Sequence, residues 1–359
     1  MTIHRGAALL LAAGLVAATV DAQTATAPDV LISPRFVTAP LSVQENVKAG
    51  SYVVVPLGRL GTGERASVQV QSENKVYNDI TAVVMAEDSV PRYLANQPVT
   101  AFGFNKRHTP FTITLTAPQD ANYVVVFDNR YSLAVTKLVR ATAQVEHVLS
   151  DDATGRLRTA FAGLLTQIQR QYQVPAFAIQ VEPCGQVNAF SAARTGNITL
   201  CTEMISKTSA DMGALAGITY HELGHTFLKL WGLPGFDNED TADEFAVQAL
   251  LRERNGRQLA QQFAAFFEGG NPWLEARTII ERGDRHTLGI QRARNIRAAA
   301  DKSTELTARW NRLVYPKLTD QYLQRIAENA GEFDSSALAK EVLTQRGSLP
   351  KVTDASLSK

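Results

Sequence analysis

The chain has 359 residues, of which 45% are hydrophobic, 20% charged and 8% aromatic; this excludes a largely disordered polypeptide and suits a folded protein long enough for two domains. A formal net charge of +1 supplies no field to recruit nucleic acid or an anionic membrane surface, so neither is expected as a partner. Only Cys184 and Cys201 are present, which means one disulfide in an exported protein or two buried thiols in a cytosolic one.

Residues 1–22 read as an export signal. His4 and Arg5 form a short polar start, Ala7 to Val20 an apolar core, and Val20-Asp21-Ala22 a cleavage site. The apolar run is shorter than the roughly 20 residues that span a bilayer, so the expectation is a periplasmic or secreted protein with no stable membrane insertion after cleavage. Export in turn favours the disulfide.

Residues 23–40 are rich in Thr, Ala and Pro without a period and read as a linker. Five short β-branched or alternating runs follow, at 51–57, 66–71, 80–84, 111–115 and 123–127, separated by clusters of Gly, Pro, Asn and Asp. They predict an antiparallel β-sandwich domain over 41–145. His108 and His147 have no second ligand at metal spacing and read as ordinary surface or half-buried histidines.

From about residue 146 the period changes to that of a helix. Leu157, Phe161, Leu164, Leu165, Ile168 and Tyr172 recur at spacings of three and four, and Pro175 closes that helix. Next comes a hairpin pattern, with 187–190 and 197–200 flanking Arg194-Thr-Gly196 and the two cysteines at its ends. A bridge there would pin the hairpin's base, contributing on the order of 3 kcal/mol in the chain-entropy account. Helical periodicity then runs from Ser209 to Leu230, stops at Leu233-Pro234-Gly235, and resumes at Glu239 after a cap from Asp237 or Asn238. Further helices are expected at 259–267 and within 306–326, inside a mostly helical domain over 146–346 with a small β-hairpin, followed by a loose polar tail over 347–359.

The chemistry concentrates in His221-Glu222-Leu-Gly-His225. On a helix the two histidines lie one turn apart on one face, where both imidazoles can meet one zinc ion while Glu222 reaches the adjacent water as general base. Catalytic zinc takes three protein ligands and keeps a fourth position open. Glu239, Asp240, Asp243 and Glu244 are candidates for the third. Glu239 and Asp243 share a helix face, so Glu239 is assigned to the metal and Asp243 to orienting a ligand histidine, while Glu244 points elsewhere. Gly224 within this helix costs about 1 kcal/mol against Ala and is read as a close-packing position.

His221-Glu-x-x-His225 with Glu239-x-x-Ala-Asp243 resembles the gluzincin metallopeptidases, among them thermolysin and the CAAX prenyl endopeptidases. A closer likeness is to a bacterial family of metallopeptidase-like proteins filed as a domain of unknown function. It shares Cys184-Gly, Asn188-Ala189-Phe190, Ile198-Thr-Leu-Cys201 and His286-x-Leu-Gly-x-Gln-Arg292-x-x-Asn295, so the resemblance covers roughly residues 150 to 300. It implies a zincin-like α+β domain, an edge strand at Asn188, Ala189 and Phe190 that binds the substrate backbone, and His286 or Arg292 as donor to the oxyanion. This chain departs from the closer family at Ser191, where an aromatic residue is usual, and from thermolysin in its shorter connection between His225 and Glu239.

The reading is an exported zinc-dependent peptidase with one Zn2+ and a peptide or protein substrate. The alternative is a non-catalytic β-sandwich binding protein with a structural or vestigial zinc site, and a further one makes the β domain an inhibitory prodomain.

Overall fold

Alternation of core-facing and solvent-facing residues builds the first half of the chain. In the computed structural model, which describes residues 30–73, 78–209, 211–269 and 288–347, ten strands precede the main helical region: β1 (Val30–Ile32), β2 (Arg35–Val37), β3 (Leu41–Val47), β4 (Tyr52–Leu60), β5 (Arg65–Glu73), β6 (Asp79–Ala86), β7 (Ala101–His108), β8 (Phe111–Thr116), β9 (Ala121–Asp128) and β10 (Lys137–Val148). One antiparallel sheet has the order β2-β10-β5-β8, with β3 also on β10, and a second has the order β4-β9-β6-β7. Val68, Ile113, Leu115 and Val139 of the first meet Val55, Ile80, Val125 and Phe127 of the second in one core. Each such side chain contributes roughly 1.5–3 kcal/mol by leaving water. A short helix, α1 (Val90–Leu94), lays Val90 and Tyr93 over Met85, Val124 and Val126 on the outer face of the second sheet.

The second half adds α2 (Asp151–Gln171), β11 (Ile179–Glu182), β12 (Ala189–Ser191), β13 (Ile198–Cys201), α3 (Thr202–Thr208), α4 (Met212–Leu230), α5 (Glu239–Leu251), α6 (Gly256–Glu268), α7 (Gly289–Asp301), α8 (Ser303–Val314), α9 (Asp320–Glu328) and α10 (Ser336–Gln345). The described residues thus form a mixed α+β protein with ten α-helices and three open sheets. Among them no helix is long and apolar enough to cross a membrane.

The linker expected over 23–40 does not hold for its described part. Val30–Ile32 pairs in parallel with β11, giving the third sheet the order β1-β11-β13-β12. Phe36 of β2 joins the core of the helical half, and Val37 N–H donates to Thr202 Oγ1 at 3.0 Å. Two short apolar runs, Val30-Leu-Ile32 and Phe36-Val37, were enough once a sheet edge stood waiting for them. At the other boundary β10 continues through 145 to Val148, and α2 starts at Asp151 with Ser150 Oγ accepting from Ala153 N–H. The signal expected over 1–22 and the tail beyond 347 lie outside the described residues, as does His286.

α4 is buried around most of its circumference, from Gly213 through Leu228. Two glycines set how closely its neighbours approach: a Cβ at Gly217 would meet the Phe263 ring at 2.2 Å, and one at Gly224 would meet Phe245 at 3.2 Å. α6 and α5 therefore close on either side of the helix that carries the histidines. Phe245 in turn packs edge-on against Phe227 and Trp310, tying α4, α5 and α8 together.

Candidate metal centre

Helical spacing places His221 and His225 on the same face of α4, with ring centroids 4.7 Å apart. The turn through Pro234 and Gly235 reverses the chain, and Asn238 Oδ1 caps α5 by accepting from Thr241 N–H at 2.9 Å. This sets Glu239 in the first turn of α5, opposite the histidines. Its carboxylate oxygens lie 3.2 Å from His221 Nε2 and 3.6 Å from His225 Nε2. Ligand atoms of the three side chains all lie within 4.8 Å of one another.

The outer nitrogens decide what the inner ones can be. His225 Nδ1 lies 2.5 Å from the Phe236 carbonyl, which can only accept, so Nδ1 carries the proton. His221 Nδ1 lies 2.8 Å from Asp243 Oδ1 and donates to that carboxylate. In the neutral rings both Nε2 atoms then carry lone pairs, and they face each other at 3.0 Å beside a carboxylate. Three electron-rich atoms in this arrangement call for a cation between them, and two imidazoles with one carboxylate form a donor set that suits zinc.

The electrostatics point the same way. Burial disfavours the His221 imidazolium, but hydrogen bonds to Asp243 and Glu239 outweigh it and lift the pKa to about 9; what draws a proton here also draws a metal ion. Burial likewise opposes the Glu239 carboxylate, yet its contacts with His221 and His225 hold its pKa far below the usual range. Burial pushes the Glu222 carboxyl above its ordinary value, only partly offset by the two histidines. Glu222 lines the same cleft as the three converging side chains.

Asp243 stands one turn after Glu239 against His221, as its spacing predicts. Arg292, from α7, does not stand free as an oxyanion donor. Its Nε and Nη2 donate to Asp243 at 2.9 and 2.8 Å, and Nη1 lies 3.4 Å from Glu239. It stacks on the Phe267 ring at 4.1 Å as well. Glu244 leaves the group and pairs with Arg309. His147 pairs with Glu64 at 2.9 Å, away from any ligand group.

The hairpin brings Asn188, Ala189 and Phe190 to the rim of a cleft of about 340 Å³ that also takes in Met204, Ile218, Phe263 and Phe267. β12 is the edge of its sheet, and Phe190 is 43% exposed. Cys184 and Cys201 form a disulfide with an S–S distance of 2.08 Å, so their sulfurs are not metal ligands. Buried Glu203 secures the same hairpin base by accepting from the backbone N–H groups of Cys184 and Gly185. Sequence reasoning missed the Phe236 carbonyl, because any residue supplies one, and Glu203, whose signal was only a buried acid next to a cysteine.

No protein family model matches the chain, and no curated protein matches it. Among solved structures it is similar to the IMPa metallopeptidase in complex with T-antigen, at 11% identity and a TM-score of 0.21 over 88% of this chain and 46% of that chain. It is also similar to IMPa from Pseudomonas aeruginosa in complex with an O-glycopeptide, at 11% identity and 0.20 over the same shares. A chain of the disulfide-linked pili of Bacillus endospore appendages aligns at 6% identity and 0.20, over 36% of this chain and 100% of that one. At these TM-scores the likeness does not amount to a shared fold.

Proposed function

We propose that this chain is an exported, zinc-dependent peptidase, a gluzincin-type enzyme in which an N-terminal β-sandwich precedes a zincin-like domain. The observation that carries this is the convergence of His221, His225 and Glu239 beside Glu222 in an open cleft. His221, His225 and Glu239 would hold one zinc, which when bound supplies a Lewis acid for the scissile carbonyl and acidifies water.

Glu222 takes the proton from the attacking water and later gives it to the leaving amine. A carboxyl whose pKa is raised by burial is suited to both transfers. Asp243 and the Phe236 carbonyl keep both Nε2 atoms facing inward. Arg292 balances the charge of Asp243 and Glu239, and His286 is taken, on the resemblance alone, as the donor to the oxyanion. The open side of β12 pairs with the substrate backbone, and the apolar recess at Met204, Ile218, Phe263 and Phe267 takes a neighbouring apolar side chain. A structural zinc site would have no use for a carboxyl placed as Glu222 is.

The test is cleavage of a mixed peptide library by the purified protein, with and without a chelator, beside Glu222→Gln. Zinc-restored cleavage by the wild type and none by the variant is the expected result. Equal cleavage by the two proteins would remove Glu222 from the mechanism, and zinc binding without any cleavage would favour the non-catalytic reading.

A further inference from the structure

Within the peptidase reading, we propose that Ser191 is a positioning residue that sets the distance between the substrate-binding edge strand and the metal centre. β12 is three residues long and, among the described residues, is paired only with β13, in the register Ala189↔Leu200, Phe190↔Thr199 and Ser191↔Ile198. So short a ladder, open on one side, fixes the strand to its neighbour β13 but not to the helix that carries the metal ligands. Alternation turns Ser191 to the face opposite Phe190, and there its Oγ lies 2.8 Å from Thr226 Oγ1 on α4. Thr226 directly follows the ligand His225 and is fully buried.

The direction of this bond is fixed by its neighbour. Thr226 Oγ1 lies 3.0 Å from the carbonyl of Gly196, which can only accept, so the single hydroxyl proton of Thr226 goes there. Ser191 must therefore be the donor. The result is a directed chain from the Ser191 hydroxyl through Thr226 to Gly196, joining the end of β12, the metal-binding helix and the tip of the hairpin. Hydrogen bonds linked in this way strengthen one another. The disulfide and Glu203 fix the far end of the hairpin, at 184–185 and 201. One end of the strand is thus held by a covalent bridge; the other is held by the backbone bond from Ala192 N–H to the Asn197 carbonyl and, toward the metal-binding helix, by the Ser191 hydroxyl on Thr226, which is one residue from a metal ligand. An aromatic residue at 191 would have no hydroxyl to place there, unless it were a tyrosine with its oxygen in the wrong position.

The experiment uses the full chain, fluorescein-labelled casein as substrate, and the variants Ser191→Ala, Thr226→Val, Ser191→Thr, Thr226→Ser and the Ala/Val double substitution. Strand contacts made equally in ground and transition states appear in KM. Loss of one such hydrogen bond gives about a fivefold change. Ser191→Ala and Thr226→Val are expected each to raise KM about fivefold, with kcat and bound zinc unchanged. The double variant is expected to be no worse than either single one, and the two hydroxyl-retaining variants to restore KM. Wild-type KM in Ser191→Ala, or losses that follow the unfolding temperature in every variant, would overturn the inference alone. No cleavage of casein by the wild type would overturn it together with the peptidase reading.

Discussion

Nδ1 of His221 is held 2.8 Å from Oδ1 of Asp243, and two guanidinium nitrogens of Arg292 grip the same carboxylate, Nη2 on that Oδ1 and Nε on Oδ2. The orientation of one metal-facing nitrogen therefore depends on a side chain from α7, forty-nine residues beyond Asp243 in sequence. Asp243→Asn keeps the shape but removes the charge that both partners need. It should lower zinc affinity about 10–100-fold, read by competition against a chelating dye, while the fold persists. Unchanged affinity would show that Asp243 does not orient His221.

The two glycines of α4 should not be equivalent. Gly217→Ala drives a methyl group to 2.2 Å from the Phe263 ring, whereas at Gly224 the contacts of 3.2 Å with Phe245 can relax by small shifts. Alanine also gains about 1 kcal/mol of helix propensity at either site. Urea unfolding should show Gly217→Ala destabilised by about 1–3 kcal/mol and Gly224→Ala close to neutral. The reverse order would contradict the packing described.

Acid should act at the junction of the two halves. The carboxylate of Glu64 accepts from Gly61 N–H at 2.7 Å and lies 2.9 Å from His147 Nδ1. Burial pushes its pKa up, but the contacts with His147 and Gly61 outweigh burial and hold it below its ordinary value of 4.5. Because the folded pKa is the lower one, the stabilisation is present above 4.5 and is lost as pH falls through the depressed folded value. Glu64→Gln should be less stable than wild type by about 1–2 kcal/mol at pH 7, with the gap closing as the pH drops below 4.5. A constant gap across that window would remove Glu64 from the account.

A prodomain that could be cut away near residue 145 would have to leave the helical half intact. Val30 and Ile32 of β1 and Phe36 of β2 are buried in the core of that half, and Leu149 N–H donates to the Pro34 carbonyl. Burying three such side chains contributes roughly 4.5–9 kcal/mol, comparable to the whole stability of a domain. A chain shortened to begin at residue 150 should therefore melt well below the full chain or fail to fold. Equal melting temperatures, with or without a gain of activity, would restore the prodomain reading.

Legibility in the sequence followed chemistry more than strand patterning. His221, Glu222 and His225 could be read because helical period and metal geometry coincide, and Glu239 with Asp243 because a capped helix started where a third ligand was needed. β10 escaped because its core-facing positions include Ala141 and Ala143, small residues that flatten the alternation. β1 escaped because its signal is its partner β11, about 150 residues away, and nothing local. Arg292 was legible as a site residue, but its pairing with Asp243 and Glu239 was not: spacing cannot say which carboxylates a guanidinium meets.

The central claim is that the three inward-facing atoms of His221, His225 and Glu239 form one metal site beside a carboxyl that does not bind the metal. Calorimetric titration of zinc into chelator-treated protein tests this directly. The account predicts one tightly bound ion in the wild type and in Glu222→Gln, and loss of that binding in His225→Ala and Glu239→Gln with the fold retained. Absence of binding in the wild type, or undiminished binding in His225→Ala and Glu239→Gln, would contradict it.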